Sequence, residues 1–502
     1  MKKILSLICT AFVLAAGCGK DGRGGSGDGP GGSGDNTSTL SVEPSVIEAP
    51  AEGLSDVQVT VTTDASSWRI TRDGGLDWAR ANVTVGQKGT SVTKVSVDAN
   101  AGARRSGTMT VSAPGCPDVT ITVRQEAAPE PEVPDYADPD AMEDSIDPEN
   151  GGMALDAQAV AAEMLVGINI GNTLEACDNK GTDDWTKWTG SETAWGNPPV
   201  TQALVDGYKE AGFNAVRIPV AWMAGHISDF STFKIDPAWL ARVKEVVDYV
   251  YAAGDMYAII NIHWDGGWLE EHPTYAKQEE INGIQRRLWT QIAKYFRDYD
   301  GHLLFAGTNE VHFDYGEPKP ENIEVQQSYN QTFVDAVRAT GGRNAYRVLV
   351  TQAYNTNIGQ ADRYHVMSED TVEGRQMLEV HCYTPWDFCG DNTKGRGWGS
   401  DSDIAELENE FGRLARFQDA GIPFVLGEYG ALWHSKWAGD PDYLESRCRW
   451  IWHATRIARE NGCIPFLWDT GSDLVNRSTG KVLDRQKDYY EALMRGARGQ
   501  DL

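Results

Sequence analysis

Two glutamates stand at the ends of apolar, strand-like segments in the second half of the chain. Glu310 follows Asn309 after residues 303–307, and Glu428 lies at the end of residues 424–428. A protonated carboxyl can help a leaving oxygen depart, while an ionised carboxylate attacks carbon or guides water. Two such groups on one rim are what the cleavage of a glycosidic bond requires, so the pair predicts this chemistry.

Four further strand-like segments carry, at or near their ends, side chains that can donate, bind or stack. These side chains are Arg217, His263, His381 with Tyr383, and Trp468. Arg217 supplies positive charge and Tyr383 a hydrogen bond, which would keep a nucleophilic Glu428 ionised. Glu310 must keep its proton, and we expect the charge of Glu428 to raise its pKa. The structural alternative is a set of buried charges that only form salt bridges.

The elements that must position these residues alternate along residues 153–499. Strand-like segments are expected at 166–170, 215–220, 257–263, 303–307, 347–352, 377–383, 424–428 and 465–468, with helices between them such as 238–253, 281–298 and 405–420. Continuous apolar strands are typical of a parallel sheet buried on both faces. Eight repeats predict an α/β fold, a (β/α)8 TIM barrel with its site at the carboxyl ends of the strands. An open doubly wound sheet is the alternative, but no glycine-rich phosphate loop follows the first strand.

The motifs around these residues resemble those of glycoside hydrolase family 5, over about residues 155–495. The similar segments are GINIGNTLE at 167–175, WGNP at 195–198, AGFN at 211–214 and TNE at 308–310, and they resemble the endoglucanase and xyloglucanase branch, subfamily 4. The resemblance implies a retaining endo-β-1,4-glucanase that acts on xyloglucan, mixed-linkage glucan or cellulose. An endo-β-mannanase with the same mechanism is one alternative, and a non-catalytic surface glycan-binding protein is the other.

The resemblance also implies roles for the catalytic pair and its partners. Glu310 would be the acid/base and Glu428 the nucleophile, with Arg217 and Tyr383 supporting the nucleophile and His381 adjusting the acid/base. Double displacement retains the anomeric configuration, and it places the two carboxyls about 5–5.5 Å apart. No metal or organic cofactor is expected, because the histidines of the chain show no zinc-like spacing.

Three residues are expected at the sugar that is cleaved. The resemblance implies that Asn309 binds its 2-hydroxyl, that His263 contacts it and that Trp468 stacks beneath it. Trp264 stands where many relatives have a second histidine, which alters one sugar contact but not the catalysis. Other aromatic residues in segments near the rim are candidates for an open cleft, namely Trp195, Trp264, Trp268 and Trp386.

The first residues are predicted to be an export signal. In residues 1–17, two lysines precede an apolar run that is too short to span a bilayer. The run closes in LAAGC, which resembles a bacterial lipoprotein cleavage site and makes Cys18 the lipid-anchored first residue of the mature chain. We therefore expect a protein held at the outer membrane, on the cell surface, of a Gram-negative bacterium. An ordinary signal peptide is the alternative.

Between the signal and the barrel, three segments differ in composition. Residues 18–38 are glycine-rich and predict a flexible tether, and residues 127–152 are acidic and proline-rich and predict a linker. Residues 39–126 alternate apolar and polar positions in short runs, which predicts a small all-β immunoglobulin-like sandwich.

The sandwich segment resembles the BACON domain of Bacteroidetes surface enzymes. The resemblance rests on NAGARRSG at residues 100–107, followed by the alternating run at 119–125. A spacer is the preferred interpretation of this domain. A carbohydrate-binding face built on Trp68 and Trp78 is the alternative.

The charge of the chain indicates which classes of partner it can bind, and the spacing of its cysteines bears on disulfide formation. The 502 residues contain 45 Lys and Arg against 73 Asp and Glu, a formal net charge of −28. Such a field disfavours nucleic acid and anionic lipid and suits a neutral polysaccharide. A monomer is expected.

Cys382 and Cys389 are the only close pair of cysteines that remains after the leader and Cys18, and their spacing leaves open whether they form a disulfide.

Overall fold

The computed structural model describes residues 38–100, 104–127, 146–390, 397–471 and 473–502. The chain divides into two compact units between Ala127 and Ala128. The predicted signal peptide, Cys18, residues 18–37 of the tether and residues 128–145 of the linker lie outside the described residues. Among the helices that are described, none combines the length and the apolar character needed to cross a membrane.

The first unit is all-β, as the alternating pattern predicts. Its strands are β1 (Leu40–Glu43), β2 (Val46–Ala49), β3 (Leu54–Arg72), β4 (Ala79–Ala81), β5 (Val85–Val97), β6 (Arg105–Ser112) and β7 (Val119–Gln125). They are hydrogen-bonded in the order β2-β7-β6-β3-β5-β4, with β1 on β3. The long β3 pairs with β5 along most of its length, with β1 at residues 60–63 and with β6 at its end, so this one strand connects β1, β5 and β6 in the sheet.

The two tryptophans of the first unit differ in their surroundings. Trp68 is 2% exposed and packs in the core with residues such as Val61 and Met109. A Cβ on Gly86 would lie 2.3 Å from the Trp68 ring, so the two strands approach closely at this point. The guanidinium of Arg105 lies 4.4 Å from the ring centroid of Trp78. Trp68 therefore packs inside the unit, and a binding face that includes it is excluded.

The second unit is a closed parallel barrel surrounded by helices, which confirms the predicted TIM-barrel fold. Its first half contains α1 (Ala157–Glu163), β8 (Gly167–Asn169), β9 (Cys177–Asp178), β10 (Thr189–Gly190), α2 (Gln202–Glu210), β11 (Ala215–Ile218), β12 (Ile227–Asp229), β13 (Lys234–Ile235), α3 (Pro237–Ala253), β14 (Tyr257–Asn261), α4 (Tyr275–Tyr295) and β15 (Leu303–Ala306). Its second half contains α5 (Pro320–Arg338), β16 (Leu349–Asn357), α6 (Ile358–Tyr364), β17 (Gln376–Cys382), α7 (Trp386–Cys389), α8 (Asp401–Gly412), α9 (Ala415–Asp419), β18 (Phe424–Tyr429), α10 (Pro441–Glu460), β19 (Cys463–Leu467) and α11 (Lys487–Ala497).

The barrel strands follow the chain in the order β8-β11-β14-β15-β16-β17-β18-β19, and β19 pairs with β8 to close the ring. The strand pairs β9–β10 and β12–β13 are short antiparallel ribbons in the loops after β8 and β11. Because all barrel strands are parallel, their carboxyl ends meet at one face. The residues that end the strands are therefore neighbours in space, although they are far apart in sequence.

The barrel interior changes from apolar to polar along the strands. One buried apolar cluster contains Ala215, Ile259, Val350 and Met377, together with residues of α1. Successive residues of a strand point to opposite faces, so each second residue returns to the interior. The next interior positions toward the carboxyl ends are buried polar residues, namely Arg217, Asn261, Gln352, Glu379 and His381. This alternation places the polar groups directly above the apolar cluster, which forms the floor of the barrel mouth.

Three elements differ from the prediction. The helix expected over 281–298 begins earlier, at Tyr275. Its first turns are polar and show no apolar period, so the sequence pattern did not reveal them. The helix expected over 405–420 is two helices, α8 and α9, since Gly412 ends the first. The fifth strand continues to Asn357 instead of ending at 352.

The close pair of cysteines is not bridged in this structure. Cys382 is buried at the end of β17, and the thiol of Cys389 donates to the carbonyl of Thr384 at 3.7 Å.

Asp265 fixes the loops that follow β11 and β14 relative to each other. Its fully buried carboxylate accepts hydrogen bonds from the backbone N–H groups of Trp222, Met223 and Ala224 at 2.8–3.0 Å, and from Trp268 Nε1 at 2.9 Å. Four donors converging on one carboxylate hold the loop rigidly, because each would be left unpaired if the loop moved. His263 and Trp264, which precede Asp265, are held in place by the same contacts.

Candidate active site

The two glutamates lie side by side at the carboxyl face of the barrel. Glu428 is in β18, and Glu310 is in the loop after β15. An oxygen of each carboxyl group and a ring nitrogen of His381 all lie within 4.8 Å of one another. The Glu428 side chain is 8% exposed and that of Glu310 is 29% exposed, so Glu310 is the more accessible.

The carboxylate of Glu428 is bound on both oxygens. Arg217 donates to Oε1 from Nη1 at 3.1 Å, and the Tyr383 hydroxyl donates to Oε2 at 3.1 Å. Burial raises the pKa of Glu428, while the positive charges of His381 and Arg217 oppose that rise. The two donors fix the orientation of the carboxylate and leave it available as a nucleophile.

His381 bridges two carboxylates. Its Nδ1 lies 2.7 Å from Glu310 Oε1, and its Nε2 lies 3.2 Å from Glu379 Oε1. Burial alone would lower the pKa of His381, but the nearby carboxylates of Glu428, Glu310 and Glu379 outweigh it and raise that pKa to about 10. The ring therefore carries both protons and donates one to each carboxylate.

This bridge reverses one prediction. The charge of Glu428 was expected to raise the pKa of Glu310. Burial does oppose ionisation of Glu310, but the hydrogen bond and the positive charge of His381 outweigh it and lower the pKa of Glu310. These opposite shifts favour the shared proton on His381, within one hydrogen bond of Glu310.

Glu379 is a buried site residue that the sequence prediction missed. Its carboxylate contacts Arg217 Nη2 at 2.9 Å, Gln352 Nε2 at 2.7 Å and the His381 ring at 3.2 Å. Burial opposes its ionisation, but the charge of Arg217 and the hydrogen bond from His381 lower its pKa below the ordinary value. A Cβ on Gly427 would lie 1.9 Å from Glu379 Oε1, so glycine before the nucleophile leaves room for it. Its position two residues before His381, on the same strand face, was the available signal.

Glu270 is a second buried carboxyl beside the site. Its Oε2 accepts from Asn309 Nδ2 and from the backbone N–H of Glu310, both at 3.2 Å. Burial, and then the charge of Glu310, raise the pKa of Glu270 to about 8. Glu270 lies in a loop, where no sequence periodicity marks a residue as facing the site.

The structure brings together all the residues that the sequence analysis assigns to the cleaved sugar. The rings of His263 and Trp468 are stacked, with centroids 5.6 Å apart and planes 14° apart. His263 Nδ1 lies 3.2 Å from Asn261 Nδ2, and Nε2 lies 3.9 Å from Glu428 Oε1. Burial and the charge of Arg217 hold the pKa of His263 well below its ordinary value, so this ring is neutral. Asn309 accepts from Arg217 Nη2 at 2.8 Å, which fixes its amide at the rim.

A cleft of about 770 Å³ opens from the catalytic pair. Trp386 and Tyr315 line it and are 63% and 80% exposed. In the loops after β8 and β14, the rings of Trp195 and Trp264 are 6.3 Å apart. Trp268 was a candidate for the cleft, but it is 1% exposed, and its indole N–H donates to the buried carboxylate of Asp265.

Glu310, His381 and Glu428 also have the spacing of a cation site. Both ring nitrogens of His381 are at hydrogen-bond distance from carboxylates. The raised pKa of His381 favours the doubly protonated ring, which has no lone pair for a metal.

Residues 177–473 match the model of the cellulase family, glycosyl hydrolase family 5. The chain belongs to glycoside hydrolase family 5. It is 38% identical over 440 residues to the xyloglucan-specific endo-β-1,4-glucanase of Bacteroides ovatus, a match that covers 83% of this chain and 84% of the relative. This family 5 enzyme is also 33% identical over 369 residues to endoglucanase B of Clostridium cellulovorans, covering 68% of this chain and 76% of the relative.

Solved structures agree with the family. The Bacteroides ovatus family 5 xyloglucanase in complex with a XXXG heptasaccharide has a TM-score of 0.66 and 36% identity, and the match covers 92% of this chain and 100% of that chain. A broad-specificity endoglucanase from Ruminococcus champanellensis with bound cellotriose has a TM-score of 0.60 and 34% identity, covering 70% of this chain and 99% of that one. The family 5 enzyme described here is thus a glycoside hydrolase.

We expect Glu379→Gln to move the alkaline limb of the kcat/KM profile to lower pH by roughly one unit. Glutamine keeps the shape of Glu379 and an acceptor for His381, but it removes a negative charge that holds the proton on His381. The acid form of the His381–Glu310 pair is then lost at lower pH. Initial rates between pH 4 and pH 10 on a soluble β-glucan measure the shift.

Asp370→Asn is the matched control for this substitution. Asp370 is also a buried carboxylate paired with an arginine, Arg338, at 2.7 Å, but it lies outside the site. This variant should lose stability and keep the parent pH profile. An unchanged alkaline limb in a folded Glu379→Gln variant would contradict the role assigned to Glu379.

Proposed function

We propose that this family 5 enzyme is a retaining endo-β-1,4-glucanase. The observation that carries the proposal is that one oxygen of Glu310 and one oxygen of Glu428 lie within 4.8 Å of each other. Retaining enzymes have carboxyls about 5–5.5 Å apart, whereas inverting enzymes need about 6.5–9.5 Å to admit a water. The different surroundings of the two carboxyls support different roles, with Glu428 as nucleophile and Glu310 as acid/base.

In the first step, Glu428 attacks the anomeric carbon and forms a glycosyl ester. Glu310 gives a proton to the leaving oxygen, and the 2.7 Å hydrogen bond to His381 is the source from which that proton is supplied. Arg217 and Tyr383 hold the attacking carboxylate in line. Trp468 and the neutral His263 contact the sugar at the reacting centre.

In the second step, Glu310 takes a proton from water, which releases the sugar from Glu428. Ester formation has removed the negative charge of Glu428, whose Oε2 lies 3.8 Å from His381 Nδ1. Loss of that charge lowers the proton affinity of the His381–Glu310 pair, so Glu310 is ionised when it must act as a base. When the ester breaks, the charge returns and the pair regains its proton.

The proposed substrate is a β-1,4-linked glucan, with xyloglucan first. Two features support an internal cut: the cleft contains both the catalytic pair and Trp386, and a second pair of rings, Trp195 and Trp264, lies in the loops after β8 and β14, in the other half of the barrel ring. A chain that crosses the whole rim can therefore be bound on both sides of the bond. The relatives named above include a xyloglucan-specific enzyme and a complex with a xyloglucan heptasaccharide, which supports xyloglucan over plain cellulose.

We expect the anomeric configuration of the azide products to distinguish the nucleophile from the acid/base. Glu428→Ala should lose at least about 10³-fold in kcat on an aryl β-cellobioside. Azide should restore turnover by filling the space of the missing carboxylate and give the α-glycosyl azide. Glu310→Ala should form the ester on the same activated substrate and give the β-glycosyl azide. Proton NMR of the products reads the configuration. Azide products of the opposite configuration would exchange the roles, and an α-sugar as the first product of the wild type would exclude retention.

The substrate is tested on four polymers. We expect this enzyme to release reducing ends most rapidly from xyloglucan, then from mixed-linkage β-glucan and carboxymethylcellulose, and least from galactomannan. Product size, measured by gel filtration, should fall early, because an endo enzyme cuts internal bonds. Release from galactomannan alone would replace the glucanase by a mannanase. Glycan binding with no release from any polymer would support a binding protein.

We further propose that Cys18 carries a lipid that anchors the enzyme at the outer membrane, facing the exterior. The leader composition and the LAAGC box support this placement. The first unit is then a BACON-like spacer, an interpretation supported by the burial of Trp68 in its core. Anchoring would keep the enzyme next to the polysaccharide that it cuts.

Cys18→Ser tests the anchor in the full chain, expressed in a Gram-negative host. We expect the parent to enter the detergent phase on Triton X-114 partition and the variant to remain in the aqueous phase, because one thiol carries the acyl chains. Cys116→Ser, at a half-buried cysteine of the first unit, is the matched control and should partition like the parent. A parent that stays aqueous would support the ordinary signal peptide.

A further inference from the structure

The proposed acid/base, Glu310, lies in a segment that is held by side chains instead of by regular secondary structure. β15 ends at Ala306 and α5 begins at Pro320, so the backbone between them must find its hydrogen bonds elsewhere. Thr308, for example, donates to Gln352 Oε1 from its N–H at 2.9 Å and from its hydroxyl at 3.0 Å. Because a buried backbone group without a partner is costly, such contacts decide where the segment lies.

Glu270 binds this segment with both its side chain and its main chain. Its Oε2 accepts from the backbone N–H of Glu310 and from Asn309 Nδ2, both at 3.2 Å, and its carbonyl accepts from the backbone N–H of His312 at 2.8 Å. A carbonyl can only accept, so His312 Nδ1, at 2.6 Å, donates to the carbonyl of Glu310. The N–H of Glu310 is thus bound by Glu270, and its carbonyl by a histidine that Glu270 holds.

The orientation of the Asn309 amide is set by two partners of known polarity. Arg217 can only donate, so the atom that lies 2.8 Å from its Nη2 is the amide oxygen. The N–H of Glu310 makes Glu270 Oε2 an acceptor, so the amide nitrogen of Asn309 faces that oxygen. This contact uses one of the two N–H donors of the amide, and the second can donate to the 2-hydroxyl of the cleaved sugar.

The loop that carries Glu270 is anchored on both sides of it. Two residues earlier, Trp268 is buried and its Nε1 donates to Asp265 at 2.9 Å. Three residues later, the carbonyl of Pro273 accepts from Asn322 Nδ2 of α5 at 2.8 Å. Glu270 itself is 5% exposed. Its carboxyl group is therefore held at a fixed position relative to the barrel, which is what a residue that positions another must have.

On the basis of the proposed role of Glu310 as acid/base, we propose that Glu270 is a positioning residue for the reaction. By accepting from the Glu310 N–H and the Asn309 amide, it places the acid/base carboxyl against the leaving oxygen and directs the amide to the sugar. Burial and the charge of Glu310 raise the pKa of Glu270 to about 8, so at neutral pH the uncharged carboxyl prevails. An uncharged carboxyl and an amide offer the same carbonyl acceptor, so glutamine should replace Glu270 in this role.

Two aryl β-cellobiosides that differ only in the leaving group test this role. Phenolate needs a proton from the acid/base to depart, whereas 2,4-dinitrophenolate departs without one. We expect Glu270→Ala to lower kcat/KM, which reports the first step, roughly 10²-fold on the phenyl glycoside, and at least about tenfold less on the dinitrophenyl glycoside. The loss that both substrates share measures the displacement of Asn309.

Four variants accompany Glu270→Ala. Glu270→Gln keeps the acceptor and should stay within about threefold of the parent on both substrates. Asp370→Ala is the matched control, because Asp370 is a buried carboxylate paired with Arg338 outside the site, and it should lose stability and keep the parent kcat/KM on both substrates. If Glu270→Ala does not fold, as judged by its thermal transition, Glu270→Met decides, since methionine fills the space without a carboxyl oxygen. Glu310→Ala removes the acid itself and should show the largest difference between the two substrates.

The outcomes separate this role from the proposed function. A Glu310→Ala variant that is impaired equally on both substrates would overturn the acid role of Glu310, and the role of Glu270 with it. If Glu310→Ala shows the difference but folded Glu270→Ala or Glu270→Met does not, only the positioning role is overturned. A Glu270→Gln variant as impaired as Glu270→Ala would also overturn it, because a charge and not an acceptor would then be required. Leaving-group dependence in Glu270→Ala that glutamine restores would support the role.

Discussion

A fully buried guanidinium is the constraint on which the site depends. Arg217 lies in the mouth of the barrel with no solvent exposure, and a charge there is stable only if it is paired and hydrogen-bonded. Its partners are the carboxylates of Glu428 and Glu379 and the amide oxygens of Asn169 and Asn309. These four groups come from three different strands and one loop. Pairing the two terminal nitrogens of one arginine therefore fixes the proposed nucleophile and the rim asparagine in a single arrangement.

Glu379 extends that arrangement to the acid/base. Because the same carboxylate contacts Arg217 and His381, the partner of the proposed nucleophile and the partner of the proposed acid/base share one buried charge. In the proposed mechanism, three carboxylates around His381 favour its proton, and the charge of one of them, Glu428, is lost when the ester forms. Charges that interact this strongly titrate as a unit. Substitutions within this network should accordingly have non-additive effects.

Catalysis and substrate selection are carried by different parts of the barrel. The interior positions at the strand ends hold the charges, above an apolar floor that cannot rearrange without creating cavities. The loops carry the aromatic rings, with Trp386 in the cleft and the pair Trp195 and Trp264 in the loops after β8 and β14. Asp265 joins these levels, since three of its hydrogen bonds fix the loop that bears Trp264 to the loop that follows β11. Changes in the loops can therefore alter which glycan is bound without disturbing the paired charges.

The sequence by itself determined the fold class and which residues meet at the site. Continuous apolar strands predict a parallel barrel, and in a parallel barrel every strand end reaches the same face, so Arg217, His381 and Glu428 could be placed together without a structure. Distances across the ring are decided only when the barrel closes, because they join residues far apart in the chain. The 2.7 Å contact between His381 and Glu310 is such a distance, and it reverses the pKa shift predicted for Glu310. The roles of Glu379 and Glu270 and the burial of Trp268 were likewise decided by tertiary structure, since a strand pattern shows which face a side chain points to but not which side chains it meets there.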